Sequence, residues 1–155
     1  MDLLLWRHAE AEDGLPDLAR ELTGKGEKQA RRVAQWLNDR LPNSARIVAS
    51  PALRTQQTAR ALTELSGRKL KILPQLATGS NADEFLRAVD WPHARGAVVA
   101  VGHQPMLGLV ASKLLTGIEQ PWAIKKGALW WFSSRSEEAD SSAILLIAAI
   151  SPNLL

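Results

Sequence analysis

The feature that most constrains this chain is an apolar run that stops on a cation and an imidazole. Leu3-Leu4-Leu5-Trp6 is followed at once by Arg7-His8, and then the chain turns acidic at Glu10 and Glu12. The run is far too short to cross a bilayer and fits a fully buried strand. Ligands of open α/β sheets sit at the carboxyl ends of the strands, and Arg7 and His8 fall at such an end. A cation beside a potential nucleophile suits an anionic, electrophilic substrate, phosphate above all. On this segment alone a plain surface position explains the pair equally well.

The rest of the chain repeats the pattern. Residues 13–17 read as a loop. Thr23 is a plausible cap for a helix on which Ala30, Val33, Ala34, Leu37 and Leu41 recur at helical spacing; Gly26 stands where a full capping box would have Glu. Residues 46–49 predict a second strand. Ser50-Pro51 then reads as a helix start, with Ser at the cap and Pro at the first helical position, so Arg54 falls in the first turn. A cation at a helix's positive end is mildly unfavourable unless an anion sits beside it, where free N–H groups and the guanidinium converge. Residues 70–73 predict an edge strand, and residues 79–85 lead into a short helix that ends near Pro92. Residues 97–101 are the clearest buried strand; they run into Gly102-His103-Gln104-Pro105 and a helix with Met106, Leu109, Val110 and Leu114 on its apolar face. Residues 127–132 and 143–150 predict two final strands, antiparallel across a polar, hairpin-like connection at 133–142. The alternation predicts a single-domain, three-layer α/β/α sandwich over residues 1–155, its sheet mostly parallel with an antiparallel strand.

Composition removes several function classes. The chain has 155 residues, enough for one core, and 19 Lys and Arg against 16 Asp and Glu, with the signs interspersed. That balance argues against a dedicated nucleic-acid surface while suiting a phosphorylated or acidic partner. Cysteine is absent, which excludes a disulfide, a thiolate metal site and a Cys nucleophile. No run reaches transmembrane length and no signal-peptide pattern opens the chain, so a cytoplasmic protein with no membrane partner is expected. Six Trp and no Tyr have no functional explanation in the sequence.

The carboxyl-end rule places Arg7 with His8, Arg54, and His103 on one edge of the sheet. Two guanidiniums clamp phosphoryl oxygens in a way lysine does poorly. One imidazole can attack phosphorus while the other donates to an equatorial oxygen. A backbone carbonyl accepting from one ring nitrogen of His8 would aim the other at phosphorus. These residues stand in a larger pattern. Arg7-His8 after an apolar strand, Leu22-Thr23-x-x-Gly26-x-x-Gln29-Ala30, Ser50-Pro51-x-x-Arg54-Thr55-x-Gln57-Thr58-Ala59 and Val101-Gly102-His103 together resemble the histidine phosphatase (phosphoglycerate mutase-like) superfamily. The short chain and the closing Ile150-Ser151-Pro152-Asn153-Leu154 resemble its SixA-type phosphohistidine phosphatases.

The resemblance implies a phosphoglycerate mutase-like fold and a hydrolase that needs no metal and no organic cofactor. His8 would be the nucleophile, Arg7 and Arg54 would bind phosphate, and His103 would complete the pocket. The implied substrate is a phosphohistidine on a signalling or phosphorelay protein. Ala9 departs from the glycine usual after the family's histidine, which would narrow the pocket or alter the turn. Ester phosphatases of the superfamily place an acid over the leaving group; here Asp83 and Glu84 are the candidates for a weak general acid, and both better suit the first turn of a helix, which favours negative charge. An imidazole leaves more readily than an alcohol, so a weak or missing acid fits a phosphoramidate. The alternatives are a small-molecule phosphomonoesterase of the same superfamily and a non-catalytic module that binds phosphoproteins. His93 reads as exposed, and Lys125-Lys126 as a solvated turn that could also steer an acidic partner.

Overall fold

The computed structural model describes residues 1–135 and 143–155. Its six-stranded sheet has the order β3-β2-β4-β1-β5-β6, made of β1 (Asp2–Arg7), β2 (Arg46–Ala49), β3 (Leu70–Ile72), β4 (Ala97–Gly102), β5 (Leu129–Ser134) and β6 (Ile144–Ile150). β1, β2, β3 and β4 are mutually parallel, and β5 runs antiparallel to both of its neighbours. The expected mostly parallel sheet with an antiparallel strand is thus the observed one, with β3 at an edge. The connection between β5 and β6 falls largely on residues 136–142, outside the described residues.

The apolar runs lack polar alternation because both faces of the sheet are covered. Leu3 and Leu5, with Val98 and Ala100, face a cluster that includes Phe85 of α3 (Ala82–Ala88) and Leu107, Val110 and Leu114 of α4 (Met106–Thr116). Leu4 and Trp6, with Val99 and Val101, face Val33 and Leu37 of α1 (Gly24–Asn38) and Leu62 of α2 (Leu53–Ser66). On α4 the buried stripe is Met106, Leu107, Val110, Ala111 and Leu114, one residue round from the expected face; Leu109 is only half buried. Leu41 is buried but lies beyond the end of α1.

The helix starts explain two motif residues and correct one reading. Thr23 caps α1 as expected, its hydroxyl oxygen accepting from the Gly26 N–H at 2.9 Å. Gly26 is needed for contact: a Cβ there would overlap the Glu10 carbonyl oxygen of the loop after β1. Ser50, by contrast, does not cap α2. The helix begins at Leu53 with Ala52 at its N-cap and no side-chain cap, because the Ser50 hydroxyl is engaged at the end of β4. Pro105 stands at the start of α4, at its N-cap. Among the described residues no helix is long and apolar enough to cross a membrane.

Candidate active site

Strand order sets the site. β4 lies between β1 and β2, so the loop leaving β4 sits about 5 Å from each of the loops leaving β1 and β2, the spacing of hydrogen-bonded neighbours. Arg7 pairs in register with Gly102, so the residues that follow, His8 and His103, emerge at one level. Their ring centroids are 5.4 Å apart.

His8 is fixed by its own backbone. Its N–H donates to the Gly102 carbonyl at 3.1 Å, and its carbonyl accepts from the Gly127 N–H at 3.0 Å. Its Nδ1 lies 2.8 Å from the Ala9 carbonyl, which only accepts, so Nδ1 carries the proton and Nε2 keeps its lone pair. Ala9 is buried with ordinary backbone geometry; Asp90 is the one described non-glycine residue with positive φ. Its methyl packs with Ala11, Leu22 and Ala30, so alanine fits the turn the family builds with glycine. The Ala9 N–H donates to Thr58 Oγ1 at 3.0 Å, and that hydroxyl donates on to the Arg54 carbonyl at 2.8 Å, tying β1 to α2. Two motif glutamines close the same loop: Gln29 Oε1 accepts from the Glu10 N–H, and Gln57 Oε1 from the Leu22 N–H.

The arginines approach from two sides. Arg7 Nη1 donates to the Ile124 carbonyl at 2.7 Å. Arg54, from the first turn of α2, is buried; its Nη1 donates to the Asp17 carbonyl at 2.9 Å and its Nη2 lies 3.2 Å from Asp17 Oδ2. Nη2 is also 3.4 Å from His103 Nδ1. Among the described residues, Arg7 Nε and Arg54 Nε are buried with no hydrogen-bond partner, as is Arg68 Nε. Orphaned buried donors on two guanidiniums are costly unless an anion meets them.

His103 Nε2 is 2.6 Å from Ser50 Oγ, which is 2.7 Å from Thr55 Oγ1, itself a donor to the Ala52 carbonyl at 2.8 Å. Arg54 can only donate, so His103 Nδ1 is the acceptor and the chain runs Nε2–H to Ser50, Ser50 to Thr55, Thr55 to Ala52. The expected donation from His103 to a phosphoryl oxygen therefore requires a second proton, one that an arriving anion would favour.

Burial, aided by the neighbouring arginines, pushes the His8 pKa down to about 4, against the pull of the Ala9 carbonyl. Burial and the charge of Arg54 push His103 down to about 3. Both rings are neutral at neutral pH. Burial also lowers the Arg7 pKa.

The structure therefore brings Arg7, His8, Arg54 and His103 together. Asp83 is elsewhere engaged: its carboxylate pairs with Lys113 of α4 at 2.6 Å, which holds it below the usual carboxylate range. Glu84 is exposed beside it in the first turn of α3, its N–H donating to Asn81 Oδ1. Asp17 and the Ser50–Thr55 relay were not foreseen as parts of the site. For Ser50 the signal was its place at the end of a strand beside β4; for Asp17, in a loop, there was none. Among the described residues no group of three or more His, Asp and Glu converges as for a metal ion.

Comparison with known proteins agrees with this geometry. The family model of the histidine phosphatase superfamily (branch 1) matches residues 3–80. An uncharacterised protein of Picosynechococcus sp. is 36% identical over 123 residues, covering 76% of this chain and 74% of that protein. The phosphohistidine phosphatase SixA of Escherichia coli is 26% identical over 127 residues, 78% of each chain. A solved structure of the protein histidine phosphatase SixA complexed with tungstate superposes with a TM-score of 0.79 at 25% identity, covering 100% of both chains. The chain belongs to the histidine phosphatase superfamily and is of the SixA type.

Proposed function

We propose that this chain, as one histidine phosphatase domain over its whole length, is a phosphohistidine phosphatase that works through a phospho-His8 intermediate. His8 Nε2, a free base aimed by the Ala9 carbonyl, attacks phosphorus. The bond from phosphorus to the substrate imidazole breaks, and that nitrogen leaves with its electron pair and takes a proton from solvent. Arg7 and Arg54 meet the charge on the equatorial oxygens. His103, protonated once the dianion offsets the arginines around it, adds a third donor. Water then attacks phospho-His8, releasing phosphate and returning the lone pair to Nε2.

The observation that carries this reading is the convergence on the free nitrogen of His8: the His103 ring lies 5.4 Å away, Arg54 approaches that ring at 3.4 Å, and the charges of Arg54 and Arg7 are both felt at His8. The tetrahedral oxyanion bound in the SixA relative supports it. The phosphoramidate substrate is favoured over an ester because Asp83, paired with Lys113, holds no proton at neutral pH to give an alcohol. A protein-borne substrate fits the exposed Lys125 and Lys126, on the segment whose Ile124 carbonyl holds Arg7.

Initial rates on a phosphohistidine-bearing protein and on phosphoramidate, set against p-nitrophenyl phosphate and sugar phosphates, test the proposal. It expects kcat/KM at least about tenfold higher on the phosphoramidates than on the sugar phosphates, whose alkoxide needs an acid that Asp83 does not supply, while p-nitrophenolate leaves without one. A preference for a sugar phosphate would instead identify a small-molecule phosphomonoesterase, and phosphate binding without turnover a non-catalytic module.

A further inference from the structure

One carboxylate bridges two guanidiniums at the mouth of the site. Asp17 Oδ2 lies 3.2 Å from Arg54 Nη2, and its other oxygen, Oδ1, lies 3.2 Å from Arg20 Nη1. The Asp17 carbonyl also takes the Arg54 Nη1 proton at 2.9 Å. Residues 12–19, which contain Asp17, are all exposed, so no apolar burial holds this segment. It is held at its base by the bridge between Ala11 and Leu22 and by Arg20 Nε donating to the Glu12 carbonyl at 2.7 Å. Towards the site its contacts are those of Asp17.

The donors that Asp17 takes matter as much as the ones it leaves. A guanidinium has five N–H groups in a rigid plane. Asp17 takes one from each terminal nitrogen of Arg54, which fixes that plane, and leaves Nε–H without a partner. Without the Asp17 carboxylate, a buried Arg54 would keep the 2.9 Å bond to the Asp17 main-chain carbonyl and the 3.4 Å approach to His103 Nδ1, with no charged partner left to hold its second terminal nitrogen. Arg20 would lose the partner that holds its charge toward Arg54, and the charge of Arg20 is felt at His8.

We propose that Asp17 is a positioning residue of the phosphate site, holding Arg54 and Arg20 in the orientation that receives the anion and remaining on them when it binds. The role acts through Arg54 and rests on the phosphate-site reading above. The competing picture is an internal carboxylate that occupies the anion's place and must be displaced. The two pictures differ in the sign of one effect. If Asp17 positions, its removal weakens phosphate binding; if it competes, its removal tightens it.

The test is calorimetric titration of inorganic phosphate into the wild-type chain, Asp17→Asn and Arg20→Met, with phosphoramidate kinetics and thermal melting on the same samples. Positioning predicts a dissociation constant raised about tenfold in Asp17→Asn, the scale of a lost charge-assisted hydrogen bond. It also predicts kcat/KM lowered in parallel, an unchanged melting temperature and partial recovery in Asp17→Glu. Arg20→Met should weaken phosphate less, because Arg54 keeps its own contacts to Asp17. An Asp17→Asn protein that binds phosphate as well as or better than wild type overturns the proposal while leaving the phosphatase reading intact. Should Asp17→Asn melt early, Arg20→Met decides: phosphate binding at or above the wild-type level would overturn the bridge. A wild-type chain that binds no phosphate overturns both readings.

Discussion

At the carboxyl ends of β1, β2 and β4 the protein hides its charge and its polarity. His8, Arg54 and His103 are 7%, 4% and 3% exposed, with Ser50, Thr55 and Thr58 buried around them. At the far edge of the same sheet, β6 does the reverse. Leu145, Leu146 and Ile147 are 40%, 43% and 51% exposed, on a strand of seven residues without one polar side chain. The first region gives up solvation that its imidazoles and guanidiniums would keep in water; the second leaves apolar surface that burial would stabilise. What separates them is the use of each position. The buried polar groups stand where an anion can meet two cations and a lone pair, and their energetic cost is recovered only when one binds.

This contrast predicts a set of unequal effects. The largest is at the nucleophile. His8→Ala should lower phosphoramidate turnover by at least about 10³-fold, since nothing else offers an aimed lone pair, while chemical denaturation at pH 7 stays within about 2 kcal/mol of wild type. Arg54→Met, which keeps the stem and removes the fork, should cost about 10²–10³ in kcat/KM, the loss expected for one preorganised donor.

Next comes acid sensitivity. Both histidines have folded-state pKa values, about 4 and about 3, below the ordinary 6.5. As pH falls the unfolded chain binds protons first, so stability is fully present above about pH 6.5 and declines from there toward pH 4. Urea unfolding should show a loss on the order of 5 kcal/mol between pH 7 and pH 4.5, and a visibly shallower slope in His8→Ala. The smallest effect belongs to β6: Leu146→Thr should leave turnover within about twofold and stability within about 0.5–1 kcal/mol. A large loss of turnover there would erase the distinction between the two regions.

Much of this was legible in the residues, for reasons that differ by element. Three of the parallel strands, β1, β2 and β4, announce themselves because both faces are buried, which makes each an apolar run; the edge strand β3 carries Lys71 and is largely exposed. The strand-end rule then places His8, Arg54 and His103 on one edge without coordinates. Ser50 was misread because Ser-Pro after a strand carries a local signal for a helix cap, whereas its hydroxyl is taken by a histidine 53 residues away along the chain. Asp17 was invisible for a similar reason: its partner Arg54 is 37 residues distant, and a loop of exposed residues has no periodicity to fix where one carboxylate points. The consequence of Ala9 also needed packing. Only the small neighbours Ala11 and Ala30, with Leu22, explain why a methyl is accepted there.

The central claim is that His8 becomes covalently phosphorylated, and rapid quench with a radiolabelled phosphohistidine protein measures it directly. The account predicts an acid-labile, base-stable phosphoryl group that appears on the chain within one turnover, maps to the peptide containing His8 and is absent from His8→Ala. Turnover of that substrate at the wild-type rate by His8→Ala, or label found on His103 instead, would contradict it.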